Sequence, residues 1–362
     1  MAAPFVLSRA PPSSDVPGNL LQGYNPAVVG YAFRRFLQII PTLFLITVLL
    51  FFGMQLVPGG PMQAFAFNIH ESQAARDAII HRWGLDQPLG IQYFKWLTSM
   101  LTGDWQTSFF RNRPVRTVIG SVLPATLLLM TTAFIIQELI ALPAGILAAL
   151  RRYSLFDQVV TLFSYVGYSM PTFWLGLMLL LIFAVEFRIA PVAGVIDIRV
   201  AGAPFMTPEY NTWFSQHVVA GVVDIAHHII LPAITIAIVG IAGDSRFMRS
   251  SMLDTIHQDY VRTARAKGLS ERSVVLKHAL RNALLPVITN VAFQLPALFS
   301  GAVVTESIFS WPGMGQLFFE SLTQFDYPLL MGILFVSAVL VLVFNLLADL
   351  AYAVADPRIS YA

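Results

Sequence analysis

The chain has 362 residues, of which 56% are hydrophobic and 12% charged, and its mean hydropathy is +0.69. Soluble domains carry about twice that share of charge, about 25%, so a soluble globular fold is excluded. With no cysteine, so are a disulfide framework, a thiolate metal site and a cysteine nucleophile. The net charge of +2 says less than where the charges fall.

The apolar runs are continuous and do not alternate, which predicts spanning helices and not a barrel. Residues 1–31 are rich in Pro, Ser and Gly and read as a flexible cytoplasmic tail. They lack the basic region followed by an apolar one that marks a signal peptide. Arg34 and Arg35 precede a first span, Phe36 to about Val57, within a first segment 32–57, and Pro58-Gly59-Gly60-Pro61 ends it. Residues 58–117 read as an extracytoplasmic loop with interfacial helices. Glu71–Trp83 is a predicted surface helix, and Ile91–Leu101 offers Tyr93, Phe94 and Trp96 to the membrane interface.

Residues 118–354 carry five more predicted spans. The second runs from Val118 to Leu150 and ends at Arg151-Arg152. Ser154–Phe187 is long enough for two crossings and has Pro171 inside. Parity selects one, as a kinked helix or as an interfacial helix leading into a span, because two crossings would put the most basic stretch of the chain outside. Residues 188–227 form an outer loop, and the fourth span covers His228–Met248. Residues 249–285 are an inner loop, the fifth span runs from Leu285 to Ile308, and the sixth from Leu329 to Val354. Residues 355–362 close the chain inside. The expected fold is therefore all-α and polytopic, with six transmembrane helices and both termini cytoplasmic. Most of the 22 Lys and Arg residues then lie inside, in short loops where they set orientation.

Within the inner loop, Tyr260–Pro286 reads YVRTARAKGLSERSVVLKHALRNALLP. A basic inner loop follows from the positive-inside rule alone. This one has more: an Ala-rich helix, a break at Gly268, Ser270 as N-cap with Glu271 after it, a second helix, and Pro286 opening the next span. Two short helices with a bend at the membrane surface make a knob that a soluble partner can grip.

Most catalytic signatures are missing. No GxxxxGK[ST], HExxH or GxSxG occurs. His227 and His228 point about 100° apart on a helix, so they are expected as ordinary interfacial residues and no metal site is expected. Glu138, beside Gln137, lies deep in the second span, and a buried polar group in a membrane faces a bundle interior or a pore. Asn290 and Gln294 are four apart on one face of the fifth span, and Gly301 is expected further along it. These four are the candidate path residues, with close helix packing as the plainer reading. A proton-coupled carrier needs paired membrane acids and inverted repeats. The sequence alone offers one acid, Glu138, and no visible repeat.

The knob resembles the cytoplasmic EAA loop of ABC-importer permeases. Arg262-Thr263-Ala264 stands where Glu-Ala-Ala stands in the general pattern, Gly268 is the loop glycine, and Leu285-Pro286 stands for Leu-Pro, five residues late. Both departures match the dipeptide, oligopeptide and nickel branch, which reads YVRTARAKGL followed by HALRNALLP. Pro58–Pro61, Gly84–Leu89, Gly103-Asp104, Leu123–Leu127, Glu306–Gly315 and Asn345–Ile359 also resemble that branch, from about residue 32 to 359. The tail before Tyr31 and the loop at about 195–225 depart from it.

The resemblance implies a type I ABC importer permease in a bacterial cell membrane. It implies partners: a second homologous permease subunit, two ATP-binding subunits, an extracytoplasmic binding protein and membrane lipid, with no nucleic acid. No cofactor is implied in this chain, and ATP with Mg2+ is expected in the ATPase subunits. Tyr260, Arg262, Thr263, Ala264, Arg265, Lys267, Gly268, Leu269, Ser270, Glu271 and Pro286 become the residues that couple the chain to an ATPase. Peptides are the implied cargo, with nickel, glutathione or another small solute as alternatives.

Overall fold

A backbone crossing lipid must satisfy its own N–H and C=O groups, which a helix does within one segment. The computed structural model describes residues 26–56, 80–81, 84, 86–299 and 301–355, and these are helices joined by turns, with no strand among the described residues. Residues 1–25 of the tail, the Pro58–Pro61 turn, most of the Glu71–Trp83 helix and residues 356–362 lie outside the described residues. The helices are α1 (Pro26–Gln55), α2 (Leu89–Thr102), α3 (Val115–Leu150), α4 (Leu155–Ser169) and α5 (Thr172–Leu179), the last running into a π-helical stretch, Leu180–Glu186. The short α6 (Ile198–Ala201) and α7 (Pro208–Gln216) precede α8 (Val218–Ile256). Then come α9 (Asp259–Ala266), α10 (Glu271–Ser273), a π-helical run Val274–Leu280 and α11 (Arg281–Gln294). A 3-10 turn (Leu295–Phe299), α12 (Val303–Ile308), α13 (Met314–Thr323) and α14 (Tyr327–Ala355) complete the order.

Among the described residues, four helices are long and apolar enough to cross a bilayer: Phe33–Gln55, Val115–Leu150, Val218–Ile256 and Tyr327–Leu350. A fifth candidate is the pair α4 and α5 with its π stretch, which turns through 104°. That is a break and not the kink expected of one helix. The residue before a proline is driven to extended backbone, and Met170 and Pro171 both have it, with ψ of 128° and 126°. The pair still makes one passage along α8. Asp157 meets Arg249 at 2.6 Å, Ser164 meets Ser245 at 3.1 Å, and the Ile189 carbonyl accepts from His227 at 2.9 Å. From Arg249 back to His227 is about 33 Å of helix, close to one hydrocarbon thickness.

α3 and α8 run parallel as the central pair. Ala133 with Ala233, Ala141 with Ala237 and Ile241, then Ala149 with Met248 and Met252 share successive clusters. Small residues let the two backbones approach, which is how helices gain packing in lipid. At Gly145 a methyl group would sit 2.7 Å from the Met248 Cβ, so glycine is required there. α1 runs antiparallel to α14, with Arg35 3.4 Å from Asp349 at one end and Phe51 among Tyr327, Met331 and Phe335 at the other.

Three expectations change. Tyr93 and Trp96 of α2 are 4% and 7% exposed and pack on α1 and α14, while Phe94 alone, at 62%, faces outward. The outer loop 188–227 contains α6, α7 and the first turns of α8, with Tyr210, Trp213 and Phe214 packed toward Trp311. The fifth predicted span is no single helix. It divides into α11, the 3-10 turn and α12, because Pro296 donates no N–H and Gly301 sits at φ +75°.

Candidate functional site

The inner knob is built outward from an apolar seam. Val261 and Ala264 of α9 face inward, with Val274, Val275 and Ala279 of the π run, onto Ala149, Met248 and Met252 at the ends of α3 and α8. Tyr260, Arg262, Thr263, Arg265, Lys267, Gly268, Leu269, Ser270 and Glu271 are exposed, and Ala264 is buried. The predicted bend is present. Gly268 adopts φ +78° with no atom within 4 Å of where a Cβ would be, so glycine serves the backbone there and not a neighbour. Ser270 takes the N-cap position, with φ −60° and ψ 142°, but its side chain makes no capping bond.

Two of the basic residues have partners in the chain. Arg265 Nη2 donates to Glu271 Oε1 at 2.8 Å and Arg265 Nε to Oε2 at 3.2 Å, so a bidentate pair spans the bend. The Arg265 hydrogen bonds hold the Glu271 carboxyl below its usual range, and Glu271 in turn raises Arg265. Arg262 lies 3.6 Å from Asp259. Pro286 lies inside α11 and does not open the helix. The chain is already helical from Glu271, through the π run, to Gln294.

Deeper along α8, five polar side chains converge. Asp244, 6% exposed, accepts from Gln137 Nε2 at 2.6 Å, Asn290 Nδ2 at 3.0 Å and Gln294 Nε2 at 3.1 Å. Gln137 Nε2 also reaches Glu138 Oε1 at 3.1 Å and Gln294 Oε1 at 2.8 Å. Glu138 Oε2 is buried with no hydrogen-bond partner. Asn290 and Gln294 share a face, as their spacing predicts. Asp244 is the member that the sequence reading missed, Gln137 being read there only as the neighbour of Glu138, and the expectation that Glu138 is an acid without a partner is corrected: Glu138 and Asp244 share the Gln137 amide. The signal was an aspartate in the apolar run of the fourth span. Gly240, one turn before Asp244, leaves the space that the Gln137 amide fills.

Gly301 is not in this cluster. The helix stops at Gln294, and Gly301 belongs to an outer turn where a Cβ would meet Glu306 Oε1 at 3.0 Å and the Gly315 backbone at 2.9 Å. Glu306 is 0% exposed. It accepts from Thr126 Oγ1 at 3.1 Å, the Gln316 N–H at 2.9 Å and the Ala302 N–H at 3.4 Å. Thr126 Oγ1 accepts in turn from the Met314 N–H at 2.6 Å, and Trp311 Nε1 donates to the Ala125 carbonyl at 2.8 Å. The segments Leu123–Leu127 and Glu306–Gly315 thus form one outer joint. Between that joint and the cluster lies a cavity of about 370 Å³ lined by Thr172, Ile236, Val239, Gly240 and Ala302–Thr305. His227 and His228 bond to the Ile189 and Asp224 carbonyls, and no group of three or more metal-ligating side chains occurs among the described residues.

The chain is similar to the oligopeptide transport system permease protein AppB of Bacillus subtilis (strain 168). The two are 44% identical over 335 residues, which cover 92% of this chain and 100% of that one. It is 38% identical to the di/tripeptide transport system permease protein DppB of Pseudomonas aeruginosa (strain UCBPP-PA14), over 92% of this chain and 99% of the relative. It is 36% identical to the dipeptide transport system permease protein DppB of Escherichia coli (strain K12), over 91% and 98%. Among solved structures it resembles the inward-facing MetNI methionine ABC transporter, with a TM-score of 0.49 and 14% identity over 67% of this chain and 98% of that one. Residues 28–130 match the N-terminal part of a binding-protein-dependent transport system membrane component, and residues 141–361 match the inner membrane component itself. The chain therefore belongs to the binding-protein-dependent transport system inner membrane component family, and it is a membrane permease.

Proposed function

We propose that the chain is one of two related permease subunits that form the translocation path of an ATP-driven peptide importer. An extracytoplasmic binding protein delivers the peptide, and two ATPase subunits bind ATP and Mg2+ on the inner side. The cargo is inferred from the relatives' names, which are those of dipeptide, tripeptide and oligopeptide permeases. The broken segment α11–α12 serves as the fifth of six crossings, and the Arg35 end of α1 and the Asp349 end of α14 lie on the side of the knob.

The observation that carries the mechanism is the two-sided character of the knob. The inner face of α9 and the π run that follows α10 are sewn to the ends of α3 and α8, while Tyr260, Arg262, Lys267, Gly268 and Leu269, before and around the bend, are exposed. Such an element transmits force: a partner grips the outer face and the apolar seam carries the motion into the bundle. Closure of the ATPase pair pushes this handle, and the path turns from inward-open to outward-open. The acid pair alone would also suit an ion-coupled carrier, but a carrier driven by an ion gradient has no use for an exposed handle.

Gly268→Val tests the docking role. A β-branched residue in the left-handed region costs about 1–2 kcal/mol, which lowers the population of the bent form by a factor of about 5–30. The expected result, in proteoliposomes holding the whole transporter, is a comparable loss of ATP-driven peptide uptake with ATP hydrolysis retained. Wild-type uptake in this variant would overturn the docking role.

A further inference from the structure

The bend at Gly268 and the buried polar cluster are two ends of one rod. From Glu271 to Gln294 the chain is helical without interruption, about 35 Å at 1.5 Å per residue. The inner end carries the exposed handle. The outer end presents Asn290 and Gln294 to Asp244 on α8. Just beyond Gln294 the α-helix gives way to the 3-10 turn and the left-handed Gly301, so motion of the rod is delivered at the cluster.

Asp244 is an uneconomical choice if its task is only to hold helices together. A carboxylate in the membrane interior is costly, and well-packed apolar side chains hold helices as firmly as buried charge does. The neighbouring α3–α8 seam does so with alanine and glycine. No ion pair to Asp244 forms among the described residues. Its partners are three neutral amides on rotatable side chains, two on α11 and one on α3. Gln137 Nε2 has two hydrogens and three acceptors within 3.1 Å: Glu138, Asp244 and Gln294. One acceptor is always in surplus, so Gln137 can release Gln294 and keep the two acids. That is a contact with two stable arrangements.

We propose that Asp244 is a positioning residue for transport, fastening the outer end of the Glu271–Gln294 rod to α3 and α8 and releasing it when the handle is pushed. The proposal rests on the reading of α9–α10 as the handle. Asp244 touches the rod, through Asn290 and Gln294. Its state sets the position of the chain beyond Gln294, where Ala302–Thr305 wall the 370 Å³ cavity.

The test uses the whole transporter, purified through a tag on this chain and placed in proteoliposomes. The chain has no cysteine, so a single cysteine replacing Val304, which lines the cavity, reports access to an impermeant maleimide with and without ATP. Asp244→Asn is expected to lower ATP-driven peptide uptake about tenfold or more, with a far smaller fall in ATP hydrolysis, and to abolish the ATP-dependence of labelling. The double variant Asp244→Asn/Asn290→Asp moves the carboxylate onto the rod and restores an amide–carboxylate bond, so it is expected to recover uptake and labelling. Wild-type uptake in Asp244→Asn, a parallel loss of uptake and hydrolysis, no recovery in the double variant, or failure of both variants to assemble would each overturn the proposal. Gly268→Val in the same preparation separates the two ideas. If it uncouples while Asp244→Asn does not, only the role of Asp244 falls; if it leaves coupling intact, the handle falls and the proposal with it.

Discussion

Glu306 and Asp244 are both carboxylates removed from water, and they are held by different kinds of donor. Glu306 takes two backbone N–H groups, from Ala302 and Gln316, and one hydroxyl that is itself fixed by the Met314 N–H. Backbone donors in a tight turn cannot rotate away, and Gly301, Gly313 and Gly315 leave no room for any other arrangement. Asp244 takes three side-chain amides from two other helices. Each can leave by a rotamer change or a small slide of its helix. A carboxylate caged by backbone is a rivet; one held by amides from moving parts is a catch. The outer joint and the polar cluster therefore have different duties although both bury an acid.

The comparison is tested most severely at the rivet. Glu306→Ala leaves three donors unmatched, the buried Thr126 hydroxyl and the part-buried Ala302 and Gln316 N–H groups, and a fully buried one costs about 1–3 kcal/mol. The expected outcome is loss of assembled, detergent-stable chain, read as yield and melting temperature of the purified complex. A Glu306→Ala protein that assembles normally and only transports poorly would make the outer joint a moving part too. The next effect is smaller and falls on the catch. Gly240→Ala adds one methyl group where the Gln137 amide sits, and overpacking of this kind costs about 1–3 kcal/mol. Adding Gln137→Ala removes the collision, so stability should return, with the strong non-additivity expected of touching residues. Transport should stay lost in the double variant, because the amide that bridges Glu138, Asp244 and Gln294 is gone. Recovery of both properties together would mean that the cluster only fills space.

These two sites were unequally legible. The long apolar runs announced α1, α3, α8 and α14, since nothing else can be done with such stretches in lipid. The bent knob was legible because its signals are local: alanines, a glycine break and a run of basic residues. Asn290 and Gln294 were found by their spacing of four. Asp244 was not, because its meaning depends on α11 lying across α8, and nothing near Asp244 in the chain says so. Glu306 lies in one of the segments that carry the family resemblance, yet its work depends on Thr126, 180 residues away. Tyr93 and Trp96 failed for another reason: an aromatic helix looks the same whether it faces headgroups or a neighbouring helix. The break at 295–302 was hidden because one proline and one glycine in an apolar stretch also suit a continuous span.

The handle offers the finest test of the contrast between fixed and releasable parts. Gly268 needs only its left-handed backbone, so the residue replacing it should matter through backbone preference alone. Asparagine tolerates that region better than other side chains. Uptake should therefore fall in the order Gly268→Asn, Gly268→Ala, Gly268→Val, with the chain equally well assembled in all three. The Arg265–Glu271 pair across the same bend should matter least. Both side chains are exposed, and such pairs contribute about 0–1 kcal/mol and weaken with salt. Arg265 lowers the pKa of Glu271, so the pair's contribution is complete above the ordinary glutamate pKa of about 4.3 and disappears only as pH falls through the lower folded value. Between pH 5 and 8 the bend should be indifferent to pH. Arg265→Gln should then cost less than about twofold in uptake, and the exchange Arg265→Glu/Glu271→Arg should restore it. If the single variant abolishes uptake and the exchange does not restore it, Arg265 is spent on an acid of the partner that grips the handle, and its bond to Glu271 is only where it waits.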